Sequence, residues 1–165
     1  MNVVHASATL LLLSSLMVSC AKPPLPVEPG VSLALAKHRV ETVSSIHYEL
    51  SLTIPENPDA EINGLVIITF QLSDPSQPLQ LDFRESAHKI RSVAANGKES
   101  DYRFINEHIV VAAQELLTGR NEVRIDFTAG SSSLNRNPEF LYTLFVPDRA
   151  RTAFPLFDPP DLKAT

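Results

Sequence analysis

The chain has 165 residues, with 19 acidic against 14 basic side chains and a formal charge of −5, so it lacks the basic footprint of a nucleic-acid binder. Hydrophobic residues make up 44% and charged residues 20%, a globular composition with chain enough for one ordinary domain and not comfortably two. Thirteen prolines against five glycines favour short segments with rigid connections, and a single cysteine excludes an internal disulfide or a multi-cysteine zinc site.

The first element is an apolar run from Thr9 to Val18. It falls well short of the roughly 20 residues that span a bilayer and has the length of a signal-peptide core. Leu16-Met17-Val18-Ser19-Cys20 resembles a bacterial lipobox, with Met17 where a branched apolar residue is usual and no Lys or Arg before the apolar core. The resemblance implies a signal peptide over 1–19 and lipidation of Cys20, each buried methylene of the acyl chains contributing about 0.8 kcal/mol. The expected location is a bacterial envelope membrane, with Ala21 pointing to the outer membrane facing the periplasm. Another secretory signal, or a buried N-terminal helix with a packed cysteine, are the competing readings.

Pro23, Pro24, Pro26 and Pro29 come next. Each fixes φ and removes a backbone donor, so Ala21 to about Gly30 reads as an extended, semi-rigid tether. A loop packed on the domain is the alternative. Residues 20–39 are accordingly assigned to the lipidated cysteine and tether, and 40–165 to a β domain.

From there the pattern has a period of two. Ile46, Tyr48, Leu50, Leu52 and Ile54 alternate with polar residues, and Val66, Ile68, Phe70 and Leu72 repeat the pattern after Pro55 and Pro58. Leu79, Leu81 and Phe83 form a third run. Ile90 to Ala95 leads into Asn96-Gly97, a hairpin signal because both residues tolerate positive φ. Tyr102 to Ile105 and His108 to Ala112 are expected to pair across Asn106-Glu107. Gln114 to Leu117 reads as one helical turn stopped at Gly119, and Val123, Ile125 and Phe127 mark another strand. With no ten-residue helical stretch after the signal, the expectation is an antiparallel all-β domain.

The last third loses its alternation. Phe140, Leu141, Tyr142, Leu144, Phe145 and Val146 are apolar on both parities, and Phe154, Leu156 and Phe157 are interleaved with prolines. Such a stretch must lie against something, as core edge or as interface. Ser133 to Asn137, Phe140 to Thr143 and Phe154 to Thr165 closely resemble the N-terminal domain of aminopeptidase N-like zinc metallopeptidases, peptidase family M1. The closing segment is similar to that family's Phe-Pro-Cys-Phe-Asp-x-Pro motif, with Leu156 in the cysteine's place. Asn135, Arg136, Tyr142, Thr143, Phe154, Pro155, Phe157, Asp158 and Pro160 carry the resemblance, and the upstream strands fit the family's β-saddle.

The resemblance implies an all-β, saddle- or sandwich-like domain that covers a zinc-bearing catalytic domain and shapes substrate access. In the complete enzymes, which remove N-terminal residues from peptides, the zinc is held by an H-E-x-x-H helix whose two histidines share one face. None of His5, His38, His47, His88 and His108 begins that motif, and G-x-M-E-N is absent. Zinc is therefore expected in a missing catalytic domain and no cofactor here, with both motifs beyond Thr165 and the β domain incomplete at its C-terminal end. No catalysis is expected from this chain alone. The family's polar Thr-Gln-x-Glu/Gln stretch is matched by Thr143-Leu144-Phe145-Val146. Leu144 and Val146 cannot accept a hydrogen bond from a substrate ammonium, and form either an apolar pocket wall or ordinary core.

Other chemistry reads weakly. His47 and Glu49 share a strand face and could ligate a metal, or simply be a solvated face. Asp158 and Asp161 could pair as acid and base, or serve as turn and cap residues. Asp148, Arg149 and Arg151 suit surface or interdomain ion pairs. No G-x-S-x-G elbow or phosphate loop is present. The expected partners are an M1 catalytic domain in cis or as a separate chain, peptide substrates only with that domain, and a membrane through the lipid anchor, with no nucleic acid. The alternatives are a standalone β-domain lipoprotein that binds or scaffolds a partner, as by strand augmentation at an exposed edge, and a non-peptidase ligand-binding β-sandwich.

Overall fold

The computed structural model describes residues 23–158 and 162–165. The signal segment, Cys20, Pro160 and Asp161 lie outside the described residues.

The described residues form ten strands, most of them from the period-two runs: β1 Val43–Thr53, β2 Asn63–Leu72, β3 Leu79–Asp82, β4 Ile90–Ala95, β5 Lys98–Glu99, β6 Arg103–Ile105, β7 His108–Val111, β8 Gly119–Thr128, β9 Leu134–Arg136 and β10 Leu141–Thr143. They form a five-stranded sheet in the order β1-β2-β8-β4-β5, a three-stranded sheet β3-β7-β6 and a two-stranded ribbon β10-β9. All pairings between these strands are antiparallel. The turn residues behave as their chemistry dictates: Asn96 and Gly97 take φ of 51° and 77° between β4 and β5, and Asn106 and Glu107 take 49° and 67° between β6 and β7.

Val66, Ile68 and Phe70 from β2, Val123, Ile125 and Phe127 from β8, and Val93 from β4 fill one core with Leu81, Ile109 and Val111 of the three-stranded sheet. Phe83 meets Phe127 edge to face, with ring centroids 5.7 Å apart. Each such side chain, fully buried, contributes about 1.5–3 kcal/mol. Gly64 is buried on β2 because the Phe127 ring, its partner on β8, occupies the space where a Cβ would stand.

All four residues of β3 and all four of β7 are buried, so the small sheet is covered on both faces. Leu79, Leu81, Ile109 and Val111 face the core. Register then puts Asp82 opposite His108 and Gln80 opposite Val110 on the other face. A helix and the proline-rich segment cover that second face.

The helix, α1 Leu33–Thr42, corrects the expectation that no ten-residue helix comes after the signal. Ser32 caps it, its hydroxyl accepting the Leu35 N–H at 3.3 Å. Its inward face is Leu35 and Arg39, an i, i+4 pair in which the second member is charged, so the apolar pattern stays short. Ahead of it, residues 23–30 lie along the body without forming a strand. Their prolines offer carbonyls and no donors, and the body supplies the donors: Asn106 Nδ2 to the Val27 carbonyl at 2.8 Å and Gln77 Nε2 to that of Pro23 at 3.4 Å.

Among the described residues, no helix is long and apolar enough to cross a membrane.

Candidate functional site

The residues singled out near the C-terminal end divide between a pinned motif and an exposed ridge. The motif runs along β3, the free edge of the small sheet. Leu156 makes an antiparallel bridge with Asp82, the Asp82 N–H donating to the Leu156 carbonyl at 2.8 Å and the Leu156 N–H returning at 3.1 Å. The Phe157 N–H donates to the Tyr48 hydroxyl at 2.9 Å, and the Asp158 N–H to Asp82 Oδ2 at 2.8 Å. Phe157 is buried edge to face against Phe70 at 5.6 Å, with the Arg39 guanidinium 5.5 Å from its ring centre. Pro155 and Ala153 are buried, and Phe154 packs edge to face on Phe145 at 5.8 Å.

Asp82 is the centre of this arrangement. Arg39 grips it with two nitrogens, each 2.7 Å from a carboxylate oxygen, and also donates to the Gln80 carbonyl at 2.5 Å. His108 Nδ1 lies 2.9 Å from Asp82 Oδ1. His108 Nε2 faces the carbonyls of Glu28 and Gly30, both at 2.9 Å. Arg39, Asp82 and His108 are almost wholly inaccessible, at 2%, 1% and 1% exposure, so each charge must be matched by a partner.

Burial alone would raise the Asp82 carboxyl, but His108 and Arg39 together hold it below the ordinary carboxylate range. Burial alone would lower His108, yet Asp82 and the two carbonyls carry it above the usual imidazole range. Tyr48 is pushed up to about 12, chiefly by burial and against the Phe157 hydrogen bond. Asp158 is raised by burial, against the pull of Arg151, whose Nε lies 3.5 Å away. Arg151 also pairs with Asp148 at 2.8 Å, so this pairing reaches inward from the surface rather than lying wholly on it.

The ridge is the β9–β10 ribbon together with residues 144–146. Asn135 stands opposite Tyr142, and Leu134 opposite Thr143. Arg136 fastens the ribbon to the β1–β2 loop by donating to the carbonyls of Pro58 and Ala60. Four large apolar side chains project here with no cover: Phe140 at 57% exposure, Tyr142 at 52%, Leu144 at 44% and Val146 at 71%. That exposure overturns the reading of Leu144 and Val146 as ordinary core. Beside the ridge a cleft of about 570 Å³ is lined by Glu61, Lys89, Thr128, Asn135, Arg136 and Tyr142, among others.

His47 and Glu49 are exposed and 4.0 Å apart, a solvated pair. Among the described residues no three His, Cys, Asp or Glu side chains gather where they could hold a metal ion, and His108 Nε2 already faces two carbonyls while its Nδ1 sits beside Asp82. A zinc ion therefore has no ligand set among them.

Arg39, Asp82, His108 and the Tyr48 hydroxyl escaped the sequence reading as a site. They are far apart in sequence, and only the β3–β7 register brings Asp82 and His108 together. The Ser32 cap was the one local signal for the helix that carries Arg39.

Residues 44–165 match the peptidase M1 N-terminal domain. Leukotriene A4 hydrolase from Saccharomyces cerevisiae is similar in fold, with a TM-score of 0.60 at 18% identity over 76% of this chain and 22% of that one. An M1 zinc metallopeptidase mutant from Deinococcus radiodurans, bound to a Tyr-Ser-Ala substrate, gives 0.57 at 20% identity over 75% and 31%. The unmutated form of that peptidase gives 0.56 at 22% over the same shares. This chain thus spans less than a third of each of those structures, and the likeness is one of fold.

Proposed function

The chain belongs to the peptidase M1 N-terminal domain family, and from that premise we propose that it is the non-catalytic β domain of a zinc-dependent aminopeptidase. In this reading it covers a catalytic domain in cis or as a separate chain, narrowing access so that peptides enter by their amino end. The zinc belongs to that catalytic domain. The observation that carries the proposal is the ridge: Phe140, Tyr142, Leu144 and Val146 are exposed within seven residues, next to a motif held rigidly from below. An uncovered apolar strip of this kind marks a contact surface, and a rigid underlay costs little entropy on docking. Leu144 and Val146 would then furnish an apolar wall beside the substrate, in place of polar groups that hold its ammonium.

The anchored location is part of the same proposal. It rests on the lipobox-like run ending at Cys20, and a Cys20→Ser chain expressed in a bacterial envelope is expected to leave the membrane fraction.

The test is association. The chain is co-expressed with an M1 catalytic domain carrying H-E-x-x-H, and complex formation and peptide turnover are measured for wild type and for Phe140→Ser with Val146→Asp. Binding and turnover are expected with wild type and lost with the double variant. Equal binding by both would remove the ridge from the interface. Turnover by the chain alone, abolished by a chelator, would overturn its non-catalytic role.

A further inference from the structure

The second face of the small sheet holds a feature that docking on a catalytic domain does not use. Residues 23–30 lie across it, and their contacts with the body are one-sided in chemistry. Pro23, Pro24, Pro26 and Pro29 have no N–H, so the segment offers mainly carbonyl oxygens. Gln77, Asn106 and His108 present donors to the carbonyls of Pro23, Val27, Glu28 and Gly30, and the Leu25 N–H returns one bond to Gln77 Oε1 at 2.9 Å.

His108 differs from the other two anchors because its donors depend on charge. Its Nε2 meets two carbonyls at 2.9 Å and its Nδ1 meets the Asp82 carboxylate at 2.9 Å. Nε2 donates to two carbonyls, and Nδ1 sits against the Asp82 carboxylate as a close ion pair without an aligned hydrogen bond, so a ring with hydrogen on both nitrogens suits a site where only acceptors face it. We propose that residues 23–30 form a strap latched by the doubly protonated His108 imidazole, and that loss of one ring proton releases its Glu28–Gly30 end.

A neutral ring keeps only one N–H. Asp82 is an anion fixed by Arg39, so that N–H stays on Nδ1 and the Nε2 lone pair is turned against two carbonyl oxygens. In a site this buried, acceptors forced together at hydrogen-bond distance repel strongly. The strap yields, because its carbonyls can find water and the Asp82 carboxylate cannot. The charged groups around the ring are few. Asp82 on β3 touches it, and Arg39 on α1 and the Asp158 N–H reach it through Asp82. Glu107 in the β6–β7 turn faces Arg84 at 3.8 Å, and the Glu28 side chain is exposed. The geometry sets the sense, latched at lower pH and released as the pH rises, and the raised proton affinity of His108 agrees with it.

By linkage, the released population should grow about tenfold for each pH unit between the ring's proton affinities in the released and latched states. The experiment is an NMR titration of the full chain, following the His108 ring nitrogens and the Val27, Glu28 and Gly30 amides. The strap amides are expected to shift with the same midpoint as the ring, while the Leu81 and Val123 amides stay put. In His108→Gln, which keeps one neutral donor, the strap amides should be flat over that range. A ring already neutral at pH 6, strap amides unmoved while the ring titrates, or the same midpoint surviving in His108→Gln would each overturn the proposal. If His108→Gln does not fold, the wild-type comparison of midpoints decides alone.

Discussion

The hydroxyl of Tyr48, on the edge strand β1, accepts the backbone N–H of Phe157 at 2.9 Å, joining two residues 109 positions apart. The bond is partly buried and the Tyr48 hydroxyl is held protonated well into the alkaline range, pushed up to about 12. It therefore fixes the motif independently of ordinary changes in pH. Removing the oxygen leaves the partly buried Phe157 N–H without its partner, which costs about 1 kcal/mol. Tyr48→Phe is expected to lower the urea midpoint accordingly with an unchanged slope. An unchanged midpoint would show that the motif is held by packing alone.

Asp82 gathers Arg39, His108 and the Asp158 N–H, so neutralising it should cost more than any single hydrogen bond. Asp82→Asn strands two buried cations and is expected to lose about 3–5 kcal/mol. Equilibrium unfolding in urea checks this. A loss below about 1 kcal/mol, the scale of an exposed ion pair, would contradict the burial of the cluster.

The same cluster predicts the pH profile. Asp82 titrates lower when folded than unfolded, so its contribution is present above its ordinary range and is lost as the pH falls through the folded value. His108 titrates higher when folded, so its contribution is complete below the unfolded value and is lost as the pH rises through the folded one. Stability should therefore be greatest between these limits, with a fall on each side. Urea midpoints measured across pH should show the alkaline fall in wild type and its loss in His108→Gln.

Gly64 is required by space, not by φ. A Cβ there would stand 2.3 Å from Cζ of Phe127, inside a close-packed core. Gly64→Ala is expected to destabilise by about 1–3 kcal/mol through overpacking, read as a lower thermal midpoint. Gly97, with nothing near its Cβ position, serves as the contrast: its alanine variant is strained only by its φ of 77°.

Alternation made β2, β8 and the Asn96-Gly97 hairpin legible, because on these strands one face is core and the period of two survives. The runs that form β3 and β7 were legible as strands as well, but the burial of both their faces was not, because Asp82 and His108 read as ordinary polar positions. Periodicity failed on α1 because the helix buries an arginine where an apolar residue would have extended the pattern. The stretch from about Asn137 reads in sequence only as core edge or interface. The structure divides it instead: Ala153, Pro155 and Phe157 are buried, and the exposed apolar groups are confined to 140–146. Sequence could name the motif residues, but it could not tell which would be pinned and which would be left facing outward.

Hydrogen exchange of the chain, free and bound to an M1 catalytic domain, tests the central claim most directly. The account predicts slowed exchange in 138–147 and in the cleft-lining residues around Arg136, with the amides of Phe157 and Asp158 protected in both states. Complex formation with exchange through 138–147 unchanged, or protection gained only on the opposite side of the molecule, would contradict it.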